Sequence, residues 1–216
     1  MFVLTADQRG SRQGSDRVGA ALQLLARVVP RPLRAFERTA GDELQGVLTG
    51  GDEVVAAVQA LVGTGHWSVG VGVGPVEQPL PGSTRAGRGP AFAAAREAVE
   101  TAKTRPHRAA LVPADLPAPG AAVVADADAV LALALAVQLR WSDEAREAVA
   151  LVAHGATQTD AAQTLGVTRQ AVGQRLAAAL WRPQAAALDV VARLLEQADA
   201  AARPDDDGGP PAPAGG

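Results

Sequence analysis

The sequence predicts an α+β protein made of a mixed sheet-and-helix part followed by an all-helical part. Three observations carry this. Residues 1–115 alternate between short β-prone runs and amphipathic helical runs. A Pro/Gly-rich stretch, PADLPAPG, interrupts the pattern at 113–120. From there to about residue 202 the apolar residues keep a helical period. The order read over 1–115 is β-α-β-β-α-β-α-β, the split βαβ, ferredoxin-like arrangement with one αβ unit added.

Each element has its own signal. Phe2–Ala6 is an apolar, β-prone run. Asp16 is placed to cap a helix carrying Val18, Leu22, Leu25 and Val29 on one face, and Pro30 and Pro32 follow it. Leu33–Thr39 and Leu44–Leu48 read as two strands joined at Gly41-Asp42, a tight hairpin turn. Asp52 is expected to cap a second helix with Val54, Val55, Val58 and Leu61 facing inward. Trp67–Gly74 alternates Val with Gly, a strand with one nearly bare face that a backbone or a ligand can approach closely. Pro90 opens a third helix, and Ala109–Val112 is the last strand. Beyond the expected linker at 113–120, helices are expected at Ala129–Leu139, from Ser142 to His154 with Gly155 ending it, and at Gln184–Ala202. The acidic, Pro/Gly-rich residues 203–216 are expected to be disordered.

Composition removes several function classes. The 216 residues include no Cys and no Tyr, 3% aromatics, three His, one Lys and 19 Arg, with a formal net charge of −3. Disulfides, thiol chemistry and Cys-type zinc sites are excluded, and three scattered His do not make a His-rich metal site. The core must be built from Val, Leu and Ala. The start has an acid where a leader needs a long apolar run, and the apolar run 129–139 is too short to span a bilayer. A cytoplasmic protein with no membrane partner is expected.

Residues 157–180 carry the first functional signal, a helix-turn-helix. Two short helices flank Gly166, which can take the left-handed conformation of the turn. Ala162, four residues earlier, sits where the helices cross, and Leu165, Val167, Val172 and Leu176 supply the apolar contacts. Thr168 caps the second helix. Its exposed start carries Arg169 and Gln170, then Gly173 and Gln174, and these residue types suit guanine and adenine edges in the major groove. Arg175 and Arg182 suit phosphates, as do Thr157, Gln158 and Thr159. Residues 168–182 hold three Arg and no acid. A structural three-helix bundle is the plainer alternative. Leu188, Val191, Leu195 and Ala198 recur at heptad-like spacing, either a homodimer stripe or a face packed within the chain.

The second signal is acidic. Asp7 follows the first strand, and Asp42 and Glu43 lie in the hairpin turn. In a ferredoxin-like sheet these strands are central neighbours, so Asp7 and Asp42 meet at one end, where two carboxylates suit a Mg²⁺ that also grips a triphosphate. Arg9, Ser11 and Arg12 can meet phosphates beside them, as can Arg85 and Arg88. The local alternative is a strand-end acid and a turn Asp.

The segments ADQRGS, GDELQGVL, VGVGVGPV and GRGPAFAAAREAVETAK, in this order, resemble the SatD family of bacterial proteins. More distantly they are similar to the palm-like domains of class III nucleotidyl cyclases and GGDEF diguanylate cyclases. The cyclase resemblance implies metal Asp residues at Asp7 and Asp42, and only the Gly41–Glu43 part of the GGDEF signature is present. The cyclase transition-state Asn falls on Ala93, and Arg96 is one residue short of the Arg register. The resemblance therefore implies a degenerate cyclase-like domain for nucleotide-ligand sensing or dimerisation, attached to a sequence-specific, double-stranded-DNA-binding regulator. The alternatives are a Mg²⁺-dependent nucleotidyl-transferring enzyme using Asp7 and Asp42, and a protein-interaction adaptor.

Overall fold

A computed structural model describes residues 1–10 and 14–202. Ser11, Arg12 and the expected tail 203–216 lie outside the described residues. The chain forms β1 (Phe2–Gln8), α1 (Val18–Val28), β2 (Arg34–Arg38), β3 (Glu43–Leu48), α2 (Gly51–Gly63), β4 (Trp67–Val73), α3 (Pro90–Thr104) and β5 (Ala109–Pro113). It continues with α4 (Ala118–Gln138), α5 (Asp143–Ala153), α6 (Gln158–Leu165), α7 (Arg169–Ala178) and α8 (Trp181–Ala201). This is a mixed α+β protein with one five-stranded sheet in the order β2-β3-β1-β4-β5. The first three neighbouring pairs are antiparallel and β4/β5 is parallel.

The hairpin turn is local chemistry. Gly41 takes φ +56°, the Glu43 amide donates to the Ala40 carbonyl at 3.0 Å and the Thr39 amide to the Glu43 carbonyl at 3.0 Å. Asp16 accepts from the Val18 amide at 3.0 Å, just ahead of α1. Asp52 is not a cap. It lies inside the first turn of α2, and the Glu53 carboxylate accepts from the Gly50 amide at 3.0 Å instead.

The sheet has two unlike faces. Phe2, Leu4 and Ala6 of β1, with Val69, Val71 and Val73 of β4, join α1 and α2 in the main core. The other face meets α3. A Cβ on Gly70 would stand 2.1 Å from the Val99 amide nitrogen, and one on Gly72 would stand 2.0 Å from the Ala91 carbonyl oxygen. The bare face of the Val/Gly strand is thus where a helix backbone lies directly on the sheet.

The segment 121–202 is divided between two cores. Val124, Ala127, Leu131, Ala134 and Leu135 of α4, with Leu188, Val191, Leu195 and Ala198 of α8, belong to the main core over the sheet. The α8 stripe is at most 5% exposed, so it closes the chain's own core and offers no dimer surface. Helices α5, α6 and α7 form a separate small core around Ala148, Val149, Ala161, Ala162, Val172 and Leu176. The expected linker is also corrected. Helix α4 starts at Ala118, inside PADLPAPG, because Pro at a first helical turn has no amide to satisfy. Helix α8 likewise begins three residues before Gln184. At 21 residues and mean hydropathy 2.0, α4 is long and apolar enough to cross a membrane by length and composition, but its inner face is built into the core.

The Gly70 contact has a measurable consequence. Gly70→Ala should destabilise the protein by ~3 kcal/mol or more, since backbone rather than a movable side chain must give way. Gly19→Ala is the control: a Cβ there meets nothing within 4 Å, so the change should stabilise α1 by up to ~1 kcal/mol. Urea midpoints moving in opposite directions would support the close contact, and equal midpoints would refute it.

Candidate nucleic-acid interface and acidic sheet edge

The α6–α7 turn follows from three short-range contacts. Gly166 takes φ +64° in the left-handed region, the Val167 amide donates to the Ala162 carbonyl at 3.0 Å, and Thr168 Oγ1 accepts from the Ala171 amide at 3.1 Å. Val172 and Leu176 turn inward to α5 and α6. That leaves Thr168, Arg169, Gln170 and Gln174 exposed, with Gly173 and Arg175 half-buried and Arg182 exposed on the first turn of α8. Gln158, Arg169, Gln170, Gly173, Gln174 and Ala177 line one shallow depression of about 520 Å³.

The acids beside this face are already engaged. Asp160 closes the α6 cap with Thr157, whose hydroxyl and amide hold its carboxyl below the usual range. Thr157 is therefore occupied as a cap. Glu144 on the first turn of α5 is held low by hydrogen bonds from the Ser142 hydroxyl and its own amide, and in part by the Arg175 guanidinium. Arg175 thus shares its charge with Glu144, while Arg169 and Arg182 have no ion-pair partner among the described residues.

At the sheet edge, Asp7 pairs in register with Glu43 and Ser68, and the Gln8 amide donates to the Asp42 carbonyl at 3.2 Å. Asp7 and Asp42 are thus at one end of neighbouring strands, but Asp7 has another partner. Lys103, the single lysine of the chain, reaches back from α3 and places Nζ 3.1 Å from Asp7 Oδ2 and 2.7 Å from Glu100 Oε1. Burial works against the Lys103 charge, and the Glu100 and Asp7 carboxylates outweigh it and raise its pKa. Glu43 accepts from the Thr39 hydroxyl. Arg9 turns away from the acids, donating from Nη1 to the Gly65 carbonyl at 2.9 Å. The Asp7 carboxylate, expected to hold a metal with Asp42, is paired with Lys103 instead. An ammonium already balances Asp7, and no cluster of three Asp, Glu, His or Cys suited to a metal occurs among the described residues.

Sequence reasoning missed the polar layer on the α3 side of the sheet. Gln45 Nε2 donates to Thr5 Oγ1 at 2.9 Å, with both side chains buried. Glu37 of β2 accepts from Ser83 Oγ at 2.6 Å, Thr84 Oγ1 at 2.7 Å and the Arg85 amide at 3.1 Å. The first two bonds lead in lowering its pKa to about 2. Arg85, expected near phosphates, instead donates from Nε to the Arg38 carbonyl at 2.8 Å. The strand period places Glu37 beside Gln45, but the loop that folds over it has no local signal. Comparison with protein-family models, curated proteins and solved structures finds no match.

Glu37 anchors the loop in its charged form, so its contribution is full above pH ~4.5 and is lost as the pH falls towards ~2. Glu37→Gln should cost ~1–2 kcal/mol at neutral pH, after discounting for partial solvent screening. The gap between wild type and variant in urea unfolding should shrink steadily below pH ~4.5. A gap that stays constant down to pH ~2 would remove the charge-dependent anchor.

Proposed function

We propose that this chain is a sequence-specific double-stranded-DNA-binding protein, a transcriptional regulator that reads the major groove with α7. The observation that carries the reading is the left-handed turn at Gly166, followed by a capped helix whose exposed first turns hold Arg169, Gln170 and Gln174. In this reading Arg169 and Gln170 address base edges, Gln174 extends the contact by one turn, and Arg182 meets a phosphate. Arg175, half-buried and near the Glu144 charge, contributes less to DNA. Gly173 lets the groove wall come close.

The sheet part is read as a ferredoxin-like, palm-type domain with β5 added, akin to the SatD proteins. The strand order β2-β3-β1-β4 with antiparallel pairs supports this, being two interleaved split βαβ units. Its role in this reading is to bind a nucleotide ligand or to support pairing of subunits. No Mg²⁺ enters, because Lys103 supplies the cation beside Asp7.

Selection from a random duplex pool at low salt tests the proposal. A consensus should emerge, and Arg169→Ala should weaken it roughly 5- to 150-fold and relax one base position. Recovery of no consensus would sink the regulator reading in favour of an adaptor. Gly173→Ala separates stability from binding. A Cβ there meets only Gln158 Oε1 at 3.6 Å, so the protein should gain up to ~1 kcal/mol while losing DNA affinity. Unchanged affinity would show that α7 does not press its Gly173 side against DNA.

A further inference from the structure

We infer that the outward face of α4 is an isologous interface between two copies of this chain. Helix α4 carries only Asp126 and Asp128 as charged residues, yet only 33% of its most apolar stretch is buried. A helix apolar all round is normally covered all round. Its inner side lies on the sheet and α8, and its outer side is bare: Leu133 is 71% exposed, with Ala129 and Ala136 exposed beside it.

Charge complementarity selects the occupant. Asp126 and Leu133 are seven apart on α4 and share one face, and Arg140 follows at the same spacing in the turn two residues past the helix end. Asp126 and Arg140 are both exposed, and neither has an ion-pair partner among the described residues. Two copies laid antiparallel about Leu133 bring Leu133 against Leu133 and Ala129 level with Val137 of the other copy. The same register sets Asp126 level with Arg140, twice. A two-fold axis requires this pattern, in which each residue meets its complement by symmetry. A lipid surface would gain nothing from an acid placed seven residues from the central leucine. The other apolar stripe, on α8, is already consumed by the chain's own core.

The register has a geometric consequence. Each α4 ends at Gln138, five residues from the axis, so the two helix ends lie ~15 Å apart at 1.5 Å per residue and both chains leave for α5 near the interface. The interface itself stands on α4 alone; its use in placing two recognition helices rests on the DNA-binding reading.

Sedimentation velocity of the full chain, from micromolar to hundreds of micromolar, is the test. Wild type should show a concentration-dependent monomer–dimer equilibrium. Asp126→Arg and Arg140→Asp should each weaken it about tenfold, by setting like charges opposite each other twice. The double reversal should return to within about threefold of wild type. Leu133→Asp should leave a monomer, with thermal melting unchanged because the side chain is exposed. A monomer at all concentrations, or a double reversal as weak as the singles, would overturn the interface. So would flotation of wild type with anionic lipid vesicles that Leu133→Asp abolishes, since the face would then be a membrane contact. A monomer that still selects a DNA sequence would refute the interface and leave the regulator reading standing. A dimer that selects none would do the reverse.

Discussion

Helices α4 and α8 lie antiparallel against each other, and both halves of the molecule hang on that pair. Gly120 near the start of α4 faces Ala201 at the end of α8. Their inner faces close the core beneath the sheet. Helix α8 is fixed to α2 through Gly51, where a Cβ would stand 2.2 Å from the Ala192 carbonyl oxygen, and the Met1 amino group pairs with Asp199. At the other end of the pair the chain leaves α4 and returns into α8, and the excursion between them is α5–α7. Trp141 and Trp181 close this neck. Trp141 Nε1 donates to the Ala179 carbonyl at 2.7 Å, and the rings meet edge to face with centroids 6.4 Å apart. Such a ring pair adds ~0.5–1.5 kcal/mol beyond its buried area. In a chain with only three Trp, two of them stand where the three-helix unit joins the body.

What the sequence disclosed was governed by short range. The Gly41 turn, the Pro90 start of α3, the Thr168 cap and the Gly166 turn each depend on residues within four positions, and each is legible in the string. The Val/Gly alternation disclosed a bare face but not its occupant, which is the backbone of α3. The start of α4 was obscured because Pro117, Pro119 and Gly120 carry linker chemistry, while Pro is equally at home in a first helical turn. Long-range pairings had no local trace. Asp7 and Lys103 lie 96 positions apart, and only the fold brings the single lysine to that carboxylate. The α8 stripe has the same spacing whether it meets a partner or its own sheet, so periodicity could not decide its role.

The polar layer under α3 shows how an aromatic-poor core remains specific. Val, Leu and Ala fill space with few shape constraints. The Gln45–Thr5 bond and the three donors on Glu37 impose direction where packing alone would not. Each buried polar group must keep its partner or lose ~1–3 kcal/mol, so the loop carrying Ser83 and Thr84 has one favoured seat. Helix α3 itself is seated by backbone contact on Gly70 and Gly72, and Lys103 at its end reaches the acidic edge.

Net charge alone would argue against nucleic acid, because the chain is acidic overall. Local hydrogen bonding changes that balance at one face. Asp160 is turned into a cap with Thr157, and the Glu144 carboxylate is engaged by the Ser142 hydroxyl and its own amide, with the Arg175 charge a lesser influence. What projects is Arg169 and, one helix on, Arg182. In the proposed DNA-binding reading, two or three phosphate contacts per copy would give a salt dependence of only about −2 to −3 in log K against log salt, and correspondingly weak non-specific binding. In that reading, two copies held in one register would double that slope and add the affinities of two half-sites. The bare, charge-complementary face of α4 is the feature of this fold suited to hold two such units together.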